Sequence, residues 1–152
     1  MRLRTLLAAA VIAIAPAAFL PPAAIAEAPI YTSAFDDIAV QGHDPVAYFK
    51  EGKPVKGAKE FSTTWKGAEF RFASAANRDA FKKNPDAYAP QYGGYCAWAV
   101  SQGYTAKGDA KYWKIVEGKL YLNYNSSVQK KWEGDIPAFI SSADTKWPGI
   151  TD

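Results

Sequence analysis

Two stretches decide the fold: WKGAEFRFASAANRDAFKKNPDAY, residues 65–88, and VEGKLYLNYNSSVQKKWEGDIPAF, residues 116–139. In the first, Glu60 to Trp65 and Ala68 to Ala73 read as two strands around Lys66 and Gly67, because β-forming residues flank a glycine turn. Ser74 then caps a helix whose apolar positions Ala76, Ala80 and Phe81 share one side, and the helix ends near Asn84 before Pro85. The second stretch repeats the design. Lys111 to Glu117 and Lys119 to Asn123 form a hairpin around Gly118, Asn125 or Ser126 caps a helix carrying Val128 and Trp132, and Pro137 follows.

The two stretches align at a constant offset of 51 residues, with Gly67 on Gly118, Phe70 on Tyr121, Phe81 on Trp132 and Tyr88 on Phe139. This predicts an internal repeat of hairpin plus helix and an α+β fold with two such units in one small domain. Generic α+β patterning gives a similar picture without a true repeat. Upstream, Ile38 to Val40 precede a turn at Gln41, Gly42 and His43. Asp44-Pro45 then starts a short helix that runs to Gly52, the carboxylate capping free amides and the proline filling a first-turn position. Ala28 to Tyr31 reads as a loose entry into the fold. The state of Tyr95 to Ser101 is open, since Ala favours helix while Tyr, Trp and Val accept either.

Residues 1–26 look like a secretory leader: Arg2 and Arg4, an apolar run from Leu6 to Leu20, and Ala24-Ile25-Ala26 as a small-x-small cleavage pattern. The run is shorter than the roughly 20 residues a membrane span needs. The expectation is cleavage after Ala26 and a soluble, exported domain over residues 27–152, periplasmic or secreted. An uncleaved anchor is the alternative. Without residues 1–26 the chain has 16 Lys and Arg (18 minus Arg2 and Arg4) against 15 Asp and Glu, a net charge of +1. That balance gives no reason to expect nucleic acid as a partner.

The single cysteine lies in YGGYCAWAV, residues 92–100. A lone thiol outside the reducing cytosol is buried, paired with another chain, bound to metal or used in chemistry. The exported portion holds Cys96, His43 and no methionine, too few ligands for a closed zinc site. A low-coordination Cu(I) site needs fewer, and Cys96 with His43 as imidazole partner fits the softness rule. For a redox thiol, the amides after Gly93 and Gly94 offer a way to stabilise a thiolate. With one cysteine, no disulfide cycle runs within a single chain. The blander readings are His43 as a turn residue and Cys96 as a small buried hydrophobe. Tyr92, Tyr95, Trp98 and Tyr104 crowd the cysteine and suit a pocket wall, whereas Trp65, Phe70, Phe72, Tyr121 and Trp132 read as core. Lys82, Lys83, Lys130 and Lys131 read as solvated helix faces.

The runs GHDPVAYF (42–49), WKGAEFRFASAANRDAFKKNPDAYAPQYGGYCAWAV (65–100) and WKIVEGKLYLNYNSSVQKKWEGDIPAFI (113–140) resemble the exported YHS-domain proteins. The resemblance implies a small α+β domain. In related domains attached to copper-transporting ATPases, cysteines after the Asp-Pro-Val motif and in a Phe-Cys-Ser-x-x-Cys region are thought to bind metal. Here those positions are Ala47, Ala73 and Asn77, the last two within Phe72 to Asn77, so that site does not carry over. Three functions stand: binding of a soft metal, copper, through Cys96 and His43; thiol-dependent redox chemistry at Cys96 on a small redox-active molecule; and a non-catalytic module that binds a ligand or partner.

Overall fold

The computed structural model describes residues 25–152. The leader expected over residues 1–26 therefore falls almost wholly outside the described residues. The elements run α1 (Pro45–Glu51), β1 (Ala58–Trp65), β2 (Ala68–Phe72), α2 (Ala75–Lys83), α3 (Pro85–Tyr88), α4 (Ala97–Gln102), β3 (Asp109–Val116), β4 (Lys119–Asn123), α5 (Ser126–Glu133), α6 (Ile136–Lys146) and α7 (Pro148–Thr151). Strands β1 and β2 form one antiparallel hairpin, and β3 and β4 form another. The protein is a small α+β fold of two hairpin sheets dressed by helices.

The local chemistry explains the elements. Lys66 and Gly67 both have positive φ, as do Glu117 and Gly118, the two-residue turn whose twist suits a tight hairpin. The Ser74 hydroxyl accepts from the Asn77 amide and the Asn125 side chain from the Val128 amide, each satisfying an orphan donor at a helix start. Asp44 does the same for Val46 and Ala47. Tyr95 to Ser101, ambiguous in the sequence, is extended at Tyr95 and Cys96 and helical from Ala97.

The repeat reaches further than hairpin and helix. Both hairpins break register at equivalent places, between Ala58 and Ser62 and between Asp109 and Trp113. Before α1, the turn Ala39–Gly42 has positive φ at Val40 (53°), Gln41 (48°) and Gly42 (73°). Before α4, the turn Gln91–Gly94 has positive φ at Tyr92 (54°), Gly93 (61°) and Gly94 (86°). Here the offset is 52. It returns to 51 at the left-handed glycines that end the two helices, Gly52 and Gly103, because α1 has seven residues and α4 six. Each unit is thus turn, helix, hairpin, helix.

The first core gathers Val46, Tyr48, Phe70, Phe72 and Phe81 with Leu120 and Leu122 of the second unit. The second gathers Tyr92, Tyr95, Val100, Tyr121 and Trp132, flanked by Phe139 and Trp147. Gln41 ties the units together, donating to the Gly108 carbonyl and accepting from the Ala110 amide. The Tyr48 hydroxyl donates to the Ala110 carbonyl at 2.8 Å. The entry segment is not loose, contrary to the sequence expectation. Ile30 is buried, the Tyr31 amide donates to the Gly93 carbonyl, and Tyr31 meets Tyr95 edge-on at 5.3 Å. A tertiary contact of this kind leaves no local sequence signal.

Candidate functional site

At an offset of 52, Asp44 of the first unit corresponds to Cys96 of the second. Each stands one extended residue after a left-handed turn and immediately before a helix. Asp44 is fully buried, and its carboxylate is surrounded by donors: Oδ1 accepts from the Val46 and Ala47 amides, and Oδ2 from the Ala73 amide and the Asn77 side chain. The first unit therefore builds a closed, fully satisfied anion position. Its role is structural, joining α1, β2 and α2 through one side chain.

The second unit keeps the backbone of that position and changes the side chains. The counterparts of the three amides are those of Trp98, Ala99 and Tyr124, and Val128 stands where the first unit has Asn77. Cys96 makes no capping hydrogen bond to α4. The Trp98 amide donates instead to Asn123 Oδ1 at 3.3 Å, and the thiol lies 3.7 Å from the same oxygen, as a weak donor to it. Asn123 is fully buried, and its Nδ2 has no hydrogen-bond partner among the described residues. Burial pushes the Cys96 thiol above its ordinary pKa, partly offset by the amides of Ala99, Tyr124 and Trp98 that face the sulfur. At neutral pH the thiol is protonated, in keeping with its donation to Asn123.

Above the sulfur lies a cavity of about 200 Å³ lined by Cys96, Trp98, Tyr104, Ala106, Tyr124 and Val128. Cys96 itself is 1% exposed, whereas Tyr104 and Tyr124 are 49% and 43% exposed, so the cavity wall reaches the surface at these two rings. Of the four aromatics expected to crowd the cysteine, Trp98 and Tyr104 line this cavity, while Tyr92 and Tyr95 belong to the second core. The glycine pair permits the close backbone approach expected of it, at Gly93. The amides facing sulfur come from α4 and the end of β4, while Gly93 provides close approach: a Cβ there would sit 2.0 Å from the Pro29 carbonyl oxygen.

His43 directly follows the first unit's turn, in extended backbone. Its Nδ1 is 3.1 Å from the Val40 carbonyl oxygen, and burial followed by the nearby Lys56 charge lowers its pKa. His43 is not among the residues lining the cavity above Cys96. Among the described residues, no group of three or more His, Cys, Asp and Glu side chains stands close enough to hold a metal ion. A larger cavity of about 390 Å³ lies where the units meet, and its wall mixes Lys56, Arg71 and Lys107 with Asp36 and Asp109. No helix among the described residues is long and apolar enough to cross a membrane.

Sequence reasoning found Cys96 and missed Asn123 and Tyr124. The signal was present in the 51-residue offset, which places Asn123 on Phe72 and so puts a polar residue where the first unit has core. No curated protein and no solved structure matches the chain. The family model of the YHS domain matches residues 46–92, from the start of α1 to the turn that opens the second unit. The chain carries a YHS domain, and Cys96 lies just beyond the matched span, in the unit that repeats it.

Proposed function

We propose that this is an exported, thiol-dependent protein whose reacting group is Cys96. One observation supports the reading above the rest: a thiol at the floor of an apolar cavity occupies the position where the first unit holds a buried carboxylate with four hydrogen bonds. Amides arranged for an anion favour a step in which the sulfur, or an oxygen attached to it, becomes negative.

With a hydroperoxide as co-reactant, the thiol loses its proton and the sulfur attacks the distal peroxide oxygen. An S–O bond forms, the O–O bond breaks, and the leaving alkoxide takes up the proton. Sulfur is oxidised by two electrons to a sulfenic acid, and the peroxide is reduced to an alcohol. The chain has one cysteine, so return to the thiol requires an external thiol.

Copper fits this donor set poorly. The cavity offers one sulfur and no imidazole, thioether or carboxylate, and the Trp98, Ala99 and Tyr124 amides that face the sulfur are donors where a metal needs lone pairs. A structural cysteine is the second reading, favoured by the burial that raises the thiol pKa. Peroxide titration of the exported chain, with mass-spectrometric trapping of sulfenic acid, separates these readings. Trapping at Cys96 in the folded protein, absent in Cys96→Ser, supports the proposal. Stoichiometric Cu(I) binding that needs both Cys96 and His43, with no sulfenic acid formed, would overturn it in favour of the metal reading.

A further inference from the structure

The thiol cavity has a chemical character beyond its sulfur. Among the described residues four large hydrophobic side chains are exposed, and two of them, Tyr104 and Tyr124, wall this one cavity. Exposed aromatic surface gathered at one place marks a contact site more than scattered residues do. Trp98 completes the wall, edge-on to Tyr104 at 6.4 Å. Two cations stand on these rings: Lys131 Nζ is 5.3 Å from the Trp98 ring centroid and Lys107 Nζ 5.5 Å from that of Tyr124. Neither lysine is among the ion pairs of the described residues, which join Lys53 with Glu51, Arg71 with Glu69, Arg78 with Asp79, and Lys114 with Glu133.

We infer that the cavity binds a small, single-ring aromatic molecule carrying one negative charge, its ring against Trp98, Tyr104 and Tyr124 and its anionic group at Lys107 or Lys131. An apolar cavity of about 150 Å³ is known to accept benzene, so 200 Å³ admits one ring with a small substituent. Ring edges and faces give an aromatic ligand an attraction that an aliphatic one of equal area lacks. Lys107 and Lys131, outside the lining but over two of its rings, add charge complementarity that a neutral ring cannot use. The inference takes the cavity of the proposed thiol site as its place and names the class of molecule brought to Cys96.

The test uses benzoate as probe, with benzyl alcohol and cyclohexanecarboxylate as comparators, and reads ¹H–¹⁵N amide shifts of the exported chain. Benzoate is expected to shift the amides of Trp98, Ala99, Tyr124 and Val128 saturably and to bind more tightly than either comparator. The double variant Lys107→Gln, Lys131→Gln, altered only at exposed positions, should weaken benzoate about 5-fold, as two rim pairs imply, and leave benzyl alcohol unchanged. Cys96→Ser should hold benzoate within about 2-fold, since the rings and lysines carry the binding. The inference is overturned if those four amides do not shift, if cyclohexanecarboxylate matches benzoate, or if the double variant binds benzoate as the parent does. Benzoate binding with a thiol inert in the folded protein would leave the ligand class standing and remove the thiol reading. A reactive thiol with no benzoate shifts would do the reverse.

Discussion

Replacing Asp44 and Cys96 by alanine, one at a time, probes the difference between the two equivalent positions. In Asp44→Ala, three donors lose their acceptor, the amides of Val46 and Ala73 and the Asn77 side chain, while the Ala47 amide keeps the residue-44 carbonyl oxygen at 3.2 Å. Loss of the helix cap alone costs about 1 kcal/mol. Buried donors left unpaired add about 1–3 kcal/mol each where they cannot reach water. Allowing for partial relaxation of Asn77 at the edge of α2, the sum is about 3–5 kcal/mol, a large part of the roughly 5–15 kcal/mol available to a domain. Cys96→Ala removes one sulfur beside an existing cavity, and that sulfur makes no capping bond. The change costs about 1 kcal/mol, near the low end for deleting a small buried group. Urea denaturation followed by tryptophan fluorescence measures both. Equal losses for the two variants would refute the view that the first position is structural and the second is freed for other work.

Three further predictions follow from the same geometry. Asn123→Asp places a carboxylate where the amide oxygen now lies 3.7 Å from the sulfur, so the thiol pKa should rise further and alkylation at pH 8 should slow by about 10-fold, one unit of like-charge repulsion. The His43 pKa is lowered on folding, so the unfolded chain binds the proton more readily; stability should be full above about pH 6.5 and decline as pH falls below it, and His43→Gln should flatten that limb of the pH–stability curve. Cys96 is raised by burial, and Tyr95 and Tyr121 are pushed up to about 12 chiefly by burial. Their contribution is full below the unfolded values of about 8.5 and 10 and is lost as pH rises through the folded ones, so urea midpoints should fall from about pH 9 upward.

Most of the fold was legible because its signals are local. The Lys66-Gly67 and Glu117-Gly118 turns, the Ser74 and Asn125 caps and the Asp44-Pro45 helix start each rest on chemistry within a few residues, and all five stand in the structure. The match of Asp44 with Cys96 was hidden by a single residue. Since α4 is one residue shorter than α1, the offset is 52 before the helices and 51 after them, and a search at one fixed offset sets Cys96 against Pro45. Asn123 and Tyr124 were missed for another reason: the offset marks Asn123 as a polar residue at a core position, but it is the bridge between Cys96 and Leu122 that brings the end of β4 to the thiol. The docking of Ile30 and Tyr31 on the second unit is likewise tertiary, with no periodic pattern to announce it.

The most direct measurement is the pH dependence of Cys96 alkylation by iodoacetamide in the folded protein, set beside the rate of global unfolding under the same conditions. A thiol at the floor of a cavity should react faster than the protein unfolds, with a midpoint above the ordinary thiol value of about 8.5 and with protection by a ligand of the cavity. Reaction that only keeps pace with unfolding at every pH would show Cys96 to be a structural core residue and would contradict the account.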